Sequence, residues 1–309
     1  MVEENIINDM CSTNEIVSDG WFKNIARYKL IAAILIKYTI EEYSPLSVQE
    51  IAEMIIDRKK RNTEEDVLAQ TIDLEPTESG DRDNKGIRHD LVFLIRETRQ
   101  RKRLVNKVTI NFEVQSSKKS YNMVSRAVYY TAHLLKNTIR RGDNYDKLHK
   151  VYSIWFCDFT LNDEIEMYEE IKNRPIHHYR MGRHYTDINK ASIDDAGDLM
   201  EAVMVELEKM KTLDKAEYKM LKTLFYDTKN SMSLIEEVTK INLTKYKEVV
   251  DMFDIAEELR KEKERAKTEL TRSVVSNLKS NLSKNDAINN ISLALNIDKV
   301  EAQRLYDEA

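Results

Sequence analysis

Two short runs of the chain could do chemistry together. Asp90 opens a strand-like run, and Glu113-Val-Gln115 closes a second one, with 22 residues between Asp90 and Glu113 that include a turn rich in Arg and Lys. An antiparallel turn centred near Arg101 would bring Asp90 and Glu113 side by side. Two carboxylates, with the Val114 backbone carbonyl as a third oxygen, are the hard donors that a divalent cation prefers. Such a cation beside a phosphodiester neutralises the phosphate and activates water. Gln115 lies two residues beyond Glu113, on the same face of an extended strand, where it could orient that water. An Asp and an E-x-Q on a hairpin also arise by chance, and Glu113 and Gln115 on a solvated face is the plain alternative.

The elements that would position these residues follow from periodicity. Asp90–Arg96 is short and apolar, as a mostly buried strand would be. Lys107–Gln115 alternates: Val108, Ile110, Phe112 and Val114 face one way, and Thr109, Asn111, Glu113 and Gln115 the other. Upstream, Trp21–Tyr43 has apolar residues at helical spacing and stops at Ser44-Pro45. Ser47 and Glu50 form a capping-box signature for a helix to about Asp57. The stretch Arg58–Lys85 is polar and reads as loop. Tyr121–Arg140 carries an apolar helical stripe, Val151–Phe156 reads as a buried strand, and Leu199–Leu207 as another strand or a helix, with the Met200-Ala202-Met204 alternation favouring strand. From Asp214 the chain is charged and helical. Glu257–Glu269 is an exposed connector, which also allows dimerisation through the C-terminal helices, and Ser276–Asp307 is a small helical hairpin. The order implies an α/β core with a mixed central sheet flanked by helices, and a C-terminal helical extension. The expected divisions are 1–210, 211–256 and 257–309.

Composition bounds the function. Gly 6 and Pro 3 favour helices over a turn-rich barrel. Net charge is −5 from 49 basic and 54 acidic residues, so nucleic-acid binding needs a local basic patch. Eight basic residues between Arg96 and Lys119, against Glu97 and Glu113, could be that patch or a solvated hairpin tip. Cys11 and Cys157 fit no metal spacing, which points to a reduced cytoplasmic compartment. The acidic first twenty residues lack a secretory core, and Leu30–Ile36 is too short to span a membrane. His177, His178 and His184 match no zinc pattern and read as loop or surface residues. Met200, Met204 and Met210 read as core filler. On the Tyr121 helix, Tyr129 is expected in the core, with Arg126 supporting the site by hydrogen bonds.

Several runs, in order, carry a resemblance: Gly86-Ile-Arg-His-Asp90-Leu-Val-Phe, Ile110-Asn-Phe-Glu113-Val-Gln115, Arg126-Ala-Val-Tyr-Tyr130, Val151-Tyr-Ser-Ile-Trp155, and upstream Trp21-Phe22-Lys23 and Leu46-Ser-Val-Gln-Glu-Ile51. Together they resemble the PD-(D/E)XK nuclease family transposases of bacteria, the group that includes the recombination-promoting nucleases. The resemblance implies a restriction-endonuclease-like core and cleavage of DNA with Mg2+ (or Mn2+), with Asp90 and Glu113 as metal ligands and catalytic residues. Gln115 stands where most of the superfamily has Lys. A Gln can hydrogen-bond but carries no charge, so slow cleavage is one expectation, and a weakly active or inactive module that binds DNA or a protein partner is the alternative. The resemblance also implies a further acid, for which Glu41, Glu42 and Glu75 are candidates.

Overall fold

The computed structural model describes residues 19–56, 66–68, 70–74, 87–98, 107–161, 173–181, 198–213, 215–295 and 297–308. The chain divides into two compact units, one spanning Ser18–Phe253 and the other containing Asp254–Ala309.

The first unit is an α/β sandwich around a five-stranded mixed sheet. Its strands are β1 (Leu91–Arg96), β2 (Lys107–Gln115), β3 (Val151–Cys157), β4 (Ile176–Arg180) and β5 (Met200–Glu206). They lie in the order β1-β2-β3-β5-β4. β2, β3 and β5 run parallel, and antiparallel β1 and β4 close the two edges. The expected α/β class and mixed sheet are thus present.

Every residue of β2 from Val108 to Val114 is buried, including the polar face expected to meet solvent. The cause is coverage of both faces, which removes the usual polar-out signature. On one face lies the helix α4 (Met123–Lys136), which packs Met123 and Ala127 against Trp155, Cys157, Ala202 and Met204. On the other face Phe112 and Phe156 meet Phe93, Phe22 and Phe225. α4 is the crossover between parallel β2 and β3, as its position in the sequence required.

The single helix expected over Trp21–Tyr43 is broken. α1 (Asp19–Ile25) ends before an extended Tyr28, α2 (Lys29–Thr39) follows, and Glu41–Tyr43 forms a 3-10 turn. The break is tertiary in origin: Lys29 N–H donates to Gln70 O and Ile72 N–H to Arg27 O, so segment 70–72 takes the backbone groups a continuous helix would use. α2 is buried almost all round, as a helix apolar on every side should be. Lys29 is buried with it, its Nζ donating to Gln70 Oε1 at 3.0 Å.

The Ser47–Glu50 capping box forms in both directions and starts α3 (Val48–Met54), which stops three residues short of Asp57. Beyond it Ile56 N–H donates to Leu94 O, so the chain leaves the helix to meet β1. The helices α5 (Leu207–Thr212), α6 (Ala216–Tyr226) and α7 (Thr228–Thr239) follow β5. α8 (Lys247–Asn281) contributes residues to both units. In the second unit the end of α8 joins α9 (Lys284–Leu295) and α10 (Lys299–Glu308) around Val275, Ile288, Ile291 and Ala302. The small core is therefore three-helical rather than a hairpin. Among the described residues, no helix is long and apolar enough to cross a membrane.

Candidate active site

The β1–β2 ladder pairs Leu91 with Phe112. One step further the same register sets Asp90 opposite Glu113, on the face that α4 covers. Asp90 N–H donates to Glu113 Oε1 at 3.3 Å, and Val114 N–H donates back to Asp90 Oδ2 at 3.3 Å. In a strand the N–H and C=O of one residue point to the same side, so the Val114 carbonyl also faces Asp90. The expected side-by-side placement of Asp90 and Glu113 holds, where β1 starts and β2 ends. That is also the carboxyl end of the parallel strands, where open α/β sheets bind ligands.

The two carboxylates differ. Glu113 is 2% exposed, while the Asp90 side chain is 18% exposed. Glu113 Oε1 also accepts from Asn111 Nδ2 at 3.0 Å, and Asn111 in turn donates to Ser153 Oγ at 3.1 Å. His89 Nδ1 stands 3.5 Å from the same oxygen, an electrostatic neighbour rather than a hydrogen bond, and its ring stacks on His133. These contacts all fall on Oε1; among the described residues none donates to Oε2. Burial, and then the nearby Glu113 charge, push the Asp90 carboxyl above the usual range, against the pull of Lys23 and of Val114 N–H. Lys23 on α1 reaches Asp90 Oδ1 at 2.9 Å.

Gln115 points from the same face as Glu113, with both ends of its amide engaged. Nε2 donates to the Val114 carbonyl at 2.8 Å, and Oε1 accepts from Arg126 Nη1 at 3.4 Å. Only this orientation satisfies both neighbours, since Arg donates only and a carbonyl accepts only. Arg126 is held in turn by the Tyr121 and Tyr130 hydroxyls and lies over the Tyr130 and Trp155 rings. Its expected supporting role fits. Tyr129 does not pack in the core: it is 51% exposed, and Tyr130 takes the inward position against Trp155 and His89.

The candidate further acids go elsewhere. Glu42 Oε1 meets Lys150 Nζ at 3.2 Å, beside Asp198 and Glu201, and Glu41 meets Arg180 at 3.3 Å. Lys150 precedes β3 and its carbonyl receives Thr109 N–H, which sets it level with Val108, five residues along the ladder from Glu113, about 16 Å at ~3.3 Å per residue. Glu75 lies outside the described residues. The basic run is divided too. Arg96 and Lys107 pair at the far end of the hairpin, about 20 Å from Asp90 and Glu113 at ~3.4 Å per residue. Lys118 and Lys119 follow the site end of β2, and Arg99, Arg101, Lys102 and Arg103 lie outside the described residues.

His177 and His178 are not loop residues. They belong to edge strand β4, where His177 is buried 3.3 Å from Glu206 and His178 bonds Glu201 at 2.7 Å. The Ile176–Arg180 alternation behind Pro175 was the available signal. His184 and Cys11 lie outside the described residues. Cys157 is buried, and burial, then Glu206 and Asp158, push its thiol up, away from nucleophilic chemistry. Met204 and Met210 are core residues, as expected.

Among the described residues, no group of three His, Cys, Asp or Glu side chains could hold a metal. The donor set is two carboxylates and one peptide carbonyl. This fits Mg2+, which keeps several waters and commonly takes only one or two protein carboxylates beside substrate phosphates. Glu113 Oε2, which no described residue donates to, is the free position of that donor set.

A mixed sheet covered on both faces, with paired acids where an antiparallel strand meets the end of its neighbour, has the architecture of a restriction-endonuclease-like nuclease core. The family model of PD-(D/E)XK nuclease family transposases matches residues 101–284, more than half of the chain, and the protein belongs to that family. Its members are nucleases linked to transposition, and PD-(D/E)XK nucleases generally use divalent metal ions. The matched span contains Glu113, Gln115 and Arg126, while Asp90 and Lys23 join them through the fold. No curated protein and no solved structure matches the chain.

Proposed function

We propose that this protein is a metal-dependent DNA endonuclease that hydrolyses phosphodiester bonds in transposition or recombination. The observation that carries the reading is the register that sets Asp90 opposite Glu113, one step beyond the last β1–β2 pair. Asp90, Glu113 and the Val114 carbonyl would hold Mg2+ or Mn2+. When bound, that cation supplies Lewis-acid stabilisation of the phosphate and lowers the pKa of water.

The chain's own groups do the rest. Asn111 and the Asp90 amide fix Glu113 through Oε1 and leave Oε2 for the cation. Arg126 locks the Gln115 amide, and its remaining N–H and lone pair can hold a water in line with the phosphorus. Lys118 and Lys119 stand at the site end of β2 to meet backbone phosphates.

A plasmid-nicking assay with Mg2+ or Mn2+ tests this, comparing the wild type with Asp90→Ala and Glu113→Ala. Cleavage in the wild type and loss in both variants is the expected result; cleavage that survives both substitutions would sink the site. The tied-down Gln115 amide favours one rival, a nuclease fold that binds DNA without cutting it. Retention of DNA with no cleavage in any metal would establish that rival.

A further inference from the structure

The site described above has carboxylates and a neutral amide, and its reaction calls for a protein cation near the phosphate. Phosphodiester hydrolysis forms a bond from a water oxygen to phosphorus and breaks the bond from phosphorus to the leaving oxygen. The attacking water gives its proton to solvent, and the leaving oxygen takes one from solvent. Between these events the non-bridging oxygens carry added negative charge, which a fixed cation stabilises. An E-x-K strand places its Lys there. Gln115 cannot carry that charge, and the Arg126 guanidinium is committed to Tyr121, Tyr130 and Gln115.

We propose that Lys23 is the missing catalytic cation, delivered to the reacting phosphate from helix α1 instead of from strand β2. The proposal rests on the nuclease reading of the Asp90–Glu113 pair. Lys23 Nζ lies 2.9 Å from Asp90 Oδ1, while the other oxygen of that carboxylate accepts Val114 N–H from the end of β2. The ammonium and the E-x-Q strand therefore meet at one carboxylate. The Lys23 side chain is about one-third exposed, which leaves it accessible to a ligand.

Its position is built, not incidental. α1 has only seven residues, and Phe22 anchors it: the Phe22 ring stacks on Phe225 at 5.1 Å and packs on Phe156 of β3 at 5.4 Å. Ile25 is buried one turn on. With Phe22 fixed in the core, the next residue is held at the end of the sheet. The ammonium keeps its proton throughout, and its role is electrostatic.

The test uses the full chain in a Mg2+ nicking assay with Lys23→Gln, Gln115→Lys and the double variant. DNA affinity is read by fluorescence anisotropy in Ca2+, and folding by thermal melting. We expect Lys23→Gln to lower kcat by about 10²–10³-fold, the scale of losing one charge-stabilising group. DNA affinity and melting should stay near wild type. Returning the charge to the strand, in Lys23→Gln with Gln115→Lys, should recover at least about tenfold of the loss, or ~1.4 kcal/mol of barrier. Lys23→Gln cleaving like the wild type overturns the proposal. So does a loss that tracks a matching fall in melting or DNA affinity, or one that Gln115→Lys does not restore; either makes Lys23 a structural partner of Asp90. Wild-type protein that fails to cleave, or an Asp90→Ala variant that still cleaves, refutes the nuclease reading itself. Cleavage lost in Asp90→Ala but kept in Lys23→Gln refutes Lys23 alone.

Discussion

Two acidic clusters occupy opposite ends of one sheet, and they resolve the same electrostatic problem differently. At the Lys150 end, Glu42, Asp198 and Glu201 all lie within 3.4 Å of Lys150 Nζ, which is nearly inaccessible and sits over the Tyr152 ring. His178 bonds Glu201, and Arg180 stands near it. Burial would raise Glu201, yet the His178 bond, Lys150 and Arg180 outweigh it and hold the carboxyl below its ordinary range. At the Asp90 end the balance falls the other way, and Asp90 is pushed up by burial and Glu113 in spite of Lys23. The first cluster holds its own cations and welds β3 and β5 to the Glu41–Tyr43 turn. The second has one partly exposed ammonium, Lys23, which does not offset burial and the Glu113 charge, and its Asp90 side chain is partly open. Acid count alone would favour the Lys150 end; charge compensation and access instead favour the Asp90 end as the proposed metal site.

The largest expected effect should fall on one cluster only. Asp90→Ala and Glu113→Ala should each reduce Mg2+-dependent nicking by at least about 10³-fold, several kcal/mol of transition-state stabilisation, with little loss in melting temperature. Lys150→Met should do the reverse. It strands three carboxylates in a dry site, a change that typically costs about 3–5 kcal/mol, and should lower melting by roughly 10 °C in a unit of this size. Cleavage by the folded fraction should persist. Glu42→Gln gives the sharper cut: a modest fall in melting and nicking within about twofold of wild type, whereas near-complete loss of nicking would return Glu42 to the active site.

How far the sequence revealed these two clusters follows from what each depends on. The Asp90–Glu113 pairing was legible because a hairpin with period-2 alternation fixes register locally. The burial of Thr109, Asn111 and Glu113 was not legible, because it comes from α4, which starts only at Met123. β4 escaped notice for a related reason: a five-residue edge strand with two His reads as polar loop until β5 pairs with it. The Lys150 cluster draws on positions 42, 150, 198 and 201, and Lys23 reaches Asp90 across 67 residues. No local pattern encodes such contacts, since they depend on how α1, the Glu41 turn and the sheet edges meet.

The two shifted carboxyls supply the finest test, because their contributions to stability run in opposite directions with pH. Glu201 is lowered in the folded state, so it adds stability above the ordinary carboxylate range and loses it as pH falls through its lowered value. Asp90 is raised, so its contribution is full below that range and disappears as pH climbs through the raised value. In EDTA, Glu201→Gln should therefore lower melting at neutral pH and flatten the acid limb of the melting curve. Asp90→Asn should raise melting at neutral pH and change little near about pH 4, where an unperturbed carboxyl is half protonated. Melting scans between these limits decide it. If Asp90→Asn destabilises at neutral pH, the Lys23 ion pair outweighs the repulsion from Glu113, and the site is no longer short of charge without its metal.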